Sequence, residues 1–165
     1  QAAALAAAGA DLICIETMHD KEEVRAALEG ALEATGLPVF ATMTFQRSRT
    51  GFATMMGVEA VEAMRLLETT GASAVGANCS TGAQDMLELV QVLRGATGLP
   101  LIAQPNAGNP VIEEGTARYL QSPEEFSQEA FLLVESGVSF VGGCCGTNPD
   151  FIRALANRIN QGFSK

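Results

Sequence analysis

The chain has a single histidine, a single tyrosine and no tryptophan, and it is short of basic residues: ten against nineteen acidic ones in 165. The resulting formal charge of −9 makes a surface that repels phosphate backbones, so nucleic acid is not an expected partner. Long apolar runs are missing. Those present are strand-sized and broken by glycine or proline, which excludes a membrane-spanning helix. No basic segment precedes an apolar stretch, so no signal peptide is expected and the cytoplasm is the expected compartment. Four cysteines are too few for a secreted disulfide scaffold. Two are adjacent, and in a reducing compartment such clusters more often bind metal or do chemistry. The lone histidine, His19, precedes a predicted helix cap and reads as a loop residue rather than a metal ligand. Triads that need a histidine are disfavoured accordingly.

What the chain does have is a core. Hydrophobic residues make up 47% of it and charged residues 18%, which suits one compact domain rather than two, and not a disordered tail. That domain is taken as residues 1–165. Its first eight residues are nearly all alanine and read as the tail of a helix without an initiator methionine, so an N-terminally truncated domain is expected.

Strands and helices alternate in the pattern. β-rich runs occur at 12–17, 38–44, 73–77, 100–104 and 138–141. Between them, apolar residues recur at helical spacing: Val61, Met64 and Leu67; Met86, Val90 and Leu93; Phe126, Ala130, Leu133 and Val134; Ile152, Leu155, Ala156 and Ile159. Asp20 with Glu23, and Ser122 with Pro123 and Glu125, have the form of capping boxes, and Asn148 before Pro149 that of an N-cap. Gly36, Gly71, Gly98 and Gly137 are predicted to end helices. Apolar strands each followed by a helix imply a parallel sheet covered by helices.

A weak repeat refines this α/β reading. Gly9-Ala10-Asp11-Leu12-Ile13, Gly71-Ala72-Ser73-Ala74-Val75 and Gly137-Val138-Ser139-Phe140-Val141 open alternate strands, while Thr35-Gly36-Leu37-Pro38 and Thr97-Gly98-Leu99-Pro100 open the others. Alternate strands build each interior layer of a (βα)8 TIM barrel, so a two-strand repeat suits a barrel better than an open sheet. Five βα units are visible, which makes this the last part of such a barrel.

Barrel enzymes keep their chemistry at the strand C-terminal ends. Seven residues on from each repeat glycine lie Glu16, Asn78 and Cys144, and one step further Thr17, Cys79 and Cys145. Gly142-Gly143-Cys144-Cys145-Gly146 is the strongest local signal. Its glycines let the backbone turn both sulfurs to one point, and with Cys79 there are three sulfur donors, the number of protein ligands that catalytic zinc commonly keeps. The competing reading is three cysteines packed as small hydrophobes. Cys14, in mid-strand, is assigned to the core. Glu16 is either a ligand for a cationic group or the partner in a salt bridge or helix cap. The segment 104–121 is long for a loop, and Asn106 within it either donates to a substrate or shapes the turn Asn106-Ala107-Gly108.

Gly76-Ala77-Asn78-Cys79 and Gly142-Gly143-Cys144-Cys145-Gly146-Thr147 resemble the signature of the homocysteine S-methyltransferase family, with Ile15-Glu16-Thr17 and Gln104-Pro105-Asn106-Ala107-Gly108 similar to its segments in order and spacing. The resemblance covers essentially the whole chain, as the fourth to eighth βα units of the family barrel. It implies a zinc ion held by Cys79, Cys144 and Cys145, and Glu16 holding the amino group of homocysteine, with Asn78 and Asn106 on the substrate side. It further implies transfer of a methyl group from a small-molecule or corrinoid donor to the homocysteine thiolate, giving methionine. Alternatives from other classes are a non-catalytic zinc or thiol domain, structural or redox, and an inactive barrel fragment that self-associates through open sheet edges.

Overall fold

The computed structural model describes residues 1–162; residues 163–165 of the expected domain lie outside the described residues. In chain order the elements are α1 (Ala2–Ala7), β1 (Ile13–Met18), α2 (Lys21–Ala34), β2 (Val39–Met43), β3 (Gln46–Ser48), β4 (Gly51–Ala53), α3 (Ala60–Thr70), β5 (Ala74–Gly82), α4 (Ala83–Ala96), β6 (Leu101–Asn106), β7 (Val111–Glu113), β8 (Thr116–Arg118), α5 (Pro123–Glu135), β9 (Phe140–Val141) and α6 (Pro149–Gly162). Five strands form one parallel sheet in the order β1-β2-β5-β6-β9. The order never reverses. Right-handed crossovers that all step the same way put every helix on one face, the winding of a barrel rather than of a doubly wound sheet. The fold is α/β, five βα units of a (βα)8 barrel.

The helix-covered face is the core. Val24 and Leu28 of α2, Met64 and Leu67 of α3, Met86 and Leu93 of α4, Phe126 and Leu133 of α5, and Phe151 and Leu155 of α6 pack with Val39, Ala41, Val75, Leu101 and Ala103 from the strands. Two predicted helix faces are rotated slightly from expectation. Val61 is 37% and Ile152 44% exposed, and Ala60, Ala63 and Phe151 turn inward instead. On the other face the sheet curls. Phe40 on β2 and Phe140 on β9 meet with ring centroids 4.6 Å apart, although β5 and β6 lie between their strands.

Two devices for stopping a helix explain the alternate-strand repeat. Gly9, Gly71 and Gly137 all have positive φ, at 94°, 103° and 91°. In each case the next amide donates to the carbonyl five residues back: Ala10 to Leu5, Ala72 to Leu67 and Val138 to Leu133. Gly36 and Gly98 are not among the positive-φ glycines. Their helices end at Thr35 and Thr97, both extended. Thr35 Oγ1 closes its helix end by donating to the Ala31 carbonyl, whereas Thr97 Oγ1 donates to the Glu68 carboxylate of α3 and accepts from the Leu99 amide. The N-caps are as expected: Asp20 accepts from Glu22 and Glu23, Ser122 and Glu125 form a capping box, and Asn148 accepts from the Asp150 amide.

The long loops carry two hairpins absent from the sequence reading, β3–β4 and β7–β8. In the second, Glu113 pairs with Thr116, so Glu114 and Gly115 are the whole turn. Both have positive φ, at 51° and 77°, the signature of a type I′ turn.

Candidate functional site

The rim of the sheet is built from irregular strand ends. The β5–β6 ladder slips between Asn78 and Gly82, and the β1–β2 ladder between Ile15 and Met18. In these slips Thr17, Cys79 and Ser80 take left-handed φ values of 63°, 64° and 69°. Such a conformation is costly outside glycine, above all for β-branched threonine, and persists only where its surroundings impose it. At Thr17 the constraint is Asn78. Its Oδ1 accepts from the Thr17 amide at 2.8 Å and from Thr42 Oγ1 at 2.7 Å, and its Nδ2 donates to Thr17 Oγ1 at 2.7 Å. Only 1% of Asn78 is exposed, so this amide clasps the ends of three strands from within.

The adjacent cysteines are docked onto the end of β6. The Cys144 amide donates to the Pro105 carbonyl at 2.8 Å, the Cys145 amide donates to Asn106 Oδ1 at 3.1 Å, and the Ala107 amide donates to the Cys145 carbonyl at 2.9 Å. Asn106 is buried and shapes the turn through this bond. The loop glycines are there for space as much as for backbone freedom. A Cβ on Gly146 would stand 2.4 Å from Tyr119 Cβ, and Gly146 also has a φ of 81°.

The result is a thiol cluster. The sulfurs of Cys79, Cys144 and Cys145 lie within 4.8 Å of one another, and those of Cys79 and Cys145 are 3.7 Å apart. Zinc–sulfur bonds of about 2.3 Å in a tetrahedron put two sulfurs about 3.8 Å apart, so the donor set fits a zinc ion. Among the described residues no other histidine, cysteine, aspartate or glutamate joins them, which suits an open coordination position rather than a closed structural site. Asn78 Nδ2 also reaches Cys144 Sγ at 3.7 Å, a contact that orients a ligand from behind. The Cys144 thiol is pushed up to about 11, first by burial and then by the neighbouring charge of Cys79, with the Asn78 bond acting in the opposite sense. Tyr119, unmarked in the sequence reading, leans over this loop. Burial, then a hydrogen bond with Cys145 and the charge of all three sulfurs, holds its phenol above the usual range.

Glu16 stands on the inner face of β1, exposed and in no ion pair among the described residues. It caps no helix. Its Oε1 accepts from Gln104 Nε2 at 2.7 Å and from the Cys14 thiol at 3.5 Å. Cys14 is therefore not in the core: Ile13 and Ile15 face the helices, while Cys14 and Glu16 share the opposite face. Strand alternation, already visible in Ile-Cys-Ile-Glu, is the signal that separates them. The surrounding protein crowds the Cys14 sulfur although the residue reaches solvent, and burial, then the charge and hydrogen bond of Glu16, push its thiol up to about 12. Thiolate is the alkylated form, and the lost thiolate outweighs the gain in intrinsic nucleophilicity. At pH 8 iodoacetamide should therefore modify Cys14 about thirtyfold more slowly than an unstructured cysteine. Peptide mass spectrometry of a time course checks this, and denaturation should abolish the difference. His19 does not join the cysteines, and its Nδ1 is buried without a hydrogen-bond partner among the described residues.

A parallel, barrel-wound sheet with three sulfurs gathered at its strand C-terminal ends defines a barrel protein with a cysteine cluster on its catalytic rim. The family profile described as homocysteine S-methyltransferase matches residues 1–159, and the chain belongs to that family. It is 35% identical over 157 residues to a methionine synthase of Mycobacterium leprae, covering 92% of this chain and 13% of that protein. It is 32% identical over 162 residues to homocysteine S-methyltransferase 3 of Arabidopsis thaliana, covering 95% of this chain and 46% of that one. The metallated form of the homocysteine methyltransferase MmuM from Escherichia coli superposes with a TM-score of 0.73 at 28% identity, over 94% of this chain and 47% of that one. The chain thus spans under half the length of each of these three proteins.

Proposed function

We propose that this chain carries the zinc- and homocysteine-binding part of an enzyme that transfers a methyl group to the homocysteine thiol, giving methionine. The observation that carries the reading is the convergence of Cys79, Cys144 and Cys145 at spacings that suit one zinc ion. When bound, zinc supplies the Lewis acidity that keeps a thiol deprotonated at neutral pH. The three cysteines hold the ion, Asn78 steadies Cys144, and Asn106 fixes the backbone that presents Cys145. Asn78 and Asn106 thereby set the rim on which the substrate lies. Glu16, on the inner face, takes the substrate ammonium. No general base is required, in keeping with a histidine that stays outside the cluster.

The methyl donor is a small molecule or a corrinoid, and a reducing cytoplasm suits four free thiols. Among the described residues no helix is long and apolar enough to cross a membrane. The edge strands β1 and β9 are unpaired on one side, and self-association through them is part of the proposal. A structural or redox zinc site is disfavoured because structural zinc takes about four protein ligands and three are present. The deciding experiment incubates the zinc-loaded full-length protein with homocysteine and, in turn, a betaine, a sulfonium and a methylcobalamin donor, and measures methionine. Methionine formed with one of them, and abolished by a chelator, is the expected result. Failure to bind homocysteine at all overturns the reading.

A further inference from the structure

Glu16 does not stand alone on the inner face. Gln104, 88 residues away on β6, crosses two intervening strands to donate Nε2 to Glu16 Oε1 at 2.7 Å. Between them the register pairs Thr42 of β2 with Gly76 of β5, where a Cβ would collide with the Ile102 backbone, so only the Thr42 side chain stands at that level of the two middle strands. Gly142 leaves room on the other side, since a Cβ at that position would touch Gln104 Cγ at 3.4 Å.

This bond fixes the orientation of the amide. An ionised carboxylate only accepts, so the nitrogen of Gln104 must face Glu16 and the oxygen must point elsewhere. That oxygen, Oε1, is buried and has no hydrogen-bond partner among the described residues. The donors of the neighbouring site are committed: the Cys14 thiol goes to Glu16, the Asn78 amide to Thr17 and Cys144, and the Thr42 hydroxyl to Asn78 and the Ile15 carbonyl. A buried carbonyl without a donor, next to a carboxylate whose direction is locked, is an incomplete site for a group with several N–H bonds and a positive charge.

We infer that Gln104 is a second residue for the substrate's amino group: its Nε2 locks Glu16, and its Oε1 accepts one N–H of the ammonium that Glu16 neutralises. The inference rests on the proposed homocysteine reading and adds to it a determinant of specificity. The site then selects thiols carrying an α-amino group by two acceptors, one charged and one neutral, held in a fixed relation by their own hydrogen bond.

The test uses the zinc-loaded full-length protein and two thiols, homocysteine and 4-mercaptobutyrate, which differ only in the amino group. Gln104→Met keeps the length of the side chain and removes the amide. Homocysteine affinity by calorimetry should fall about tenfold, the scale of one hydrogen bond to a charged group. Affinity for 4-mercaptobutyrate and zinc content should be unchanged. In Glu16→Gln/Gln104→Met the loss should be smaller than the product of the single losses, because both residues hold one group. Unchanged homocysteine affinity in Gln104→Met, equal weakening of both thiols, or loss of zinc each overturns this inference while leaving the broader reading in place. A wild-type protein that binds the two thiols alike overturns both.

Discussion

Cys79→Ala and Cys145→Ala should each strip the protein of zinc, while Cys14→Ala keeps it. The two sulfurs stand 3.7 Å apart at the strand ends, whereas the Cys14 sulfur belongs to Glu16. A four-ligand structural zinc site is worth roughly 10–16 kcal/mol at neutral pH, so one ligand accounts for about 2.5–4 kcal/mol. Removing one of three should therefore raise the zinc Kd by roughly a hundredfold or more. Protein prepared with zinc and dialysed against a weak chelator should retain about one ion per chain in the wild type and almost none in either variant. Lower pH should act in the same direction. The metal-free Cys144 thiol, held up to about 11, keeps its proton at neutral pH, so metal uptake must release it and affinity falls as protons become abundant. The fold itself responds at the other end of the scale. Cys14 and Cys144 are raised above the ordinary thiol value of 9.0, so the native state holds protons that the unfolded chain has lost. Metal-free protein should thus keep this contribution below pH 9 and lose it as pH rises toward 11–12. Full zinc retention in both cysteine variants would end the metal reading.

Much of this architecture was legible because its causes are local. Ser122, Pro123 and Glu125 form their capping box within one turn, and Gly71 and Gly137 end helices through bonds that span five residues. The seven-residue step from each repeat glycine to Glu16, Asn78 and Cys144 works because the three glycines share one conformation and so launch their strands alike. Gly36 and Gly98 share the motif but not the conformation, since their helices end one residue earlier at Thr35 and Thr97, both extended. What stayed hidden is either unpatterned or non-local. The β7–β8 hairpin is exposed along both strands, so no burial imprinted an alternation on Val111–Glu113 or Thr116–Arg118. The left-handed turns at Thr17, Cys79 and Ser80 use residues that ordinarily avoid them, and the clasp that holds Thr17, Asn78, meets it across 61 residues. Tyr119 reaches the cysteines from a loop whose sequence carries no motif. The bond between Glu16 and Gln104 depends on the curl of the whole sheet, which periodicity does not encode.

Glu16→Gln should weaken homocysteine binding by about 30-fold or more and leave zinc content unchanged. The carboxylate lies on the inner face with no cationic partner among the described residues, yet its direction is set by Gln104. It is a prepared anion awaiting a cation. Truncating one partner of a desolvated, hydrogen-bonded charge pair costs about 2–5 kcal/mol. The lower end of that range already corresponds to roughly a 30-fold change in Kd. Glutamine preserves size and most hydrogen bonding, so the loss isolates the charge. A thiol without the amino group, such as 4-mercaptobutyrate, should bind wild type and variant alike, because it never uses Glu16. The contrast also separates two roles for one carboxylate. The proposed zinc site has three sulfur donors, and a fourth anionic ligand would close the position that a substrate thiol would take. Were Glu16 that ligand, Glu16→Gln would release zinc and weaken both thiols together, and the cluster would read as a structural centre. Unchanged zinc with a selective loss of the amino thiol places Glu16 on the substrate instead.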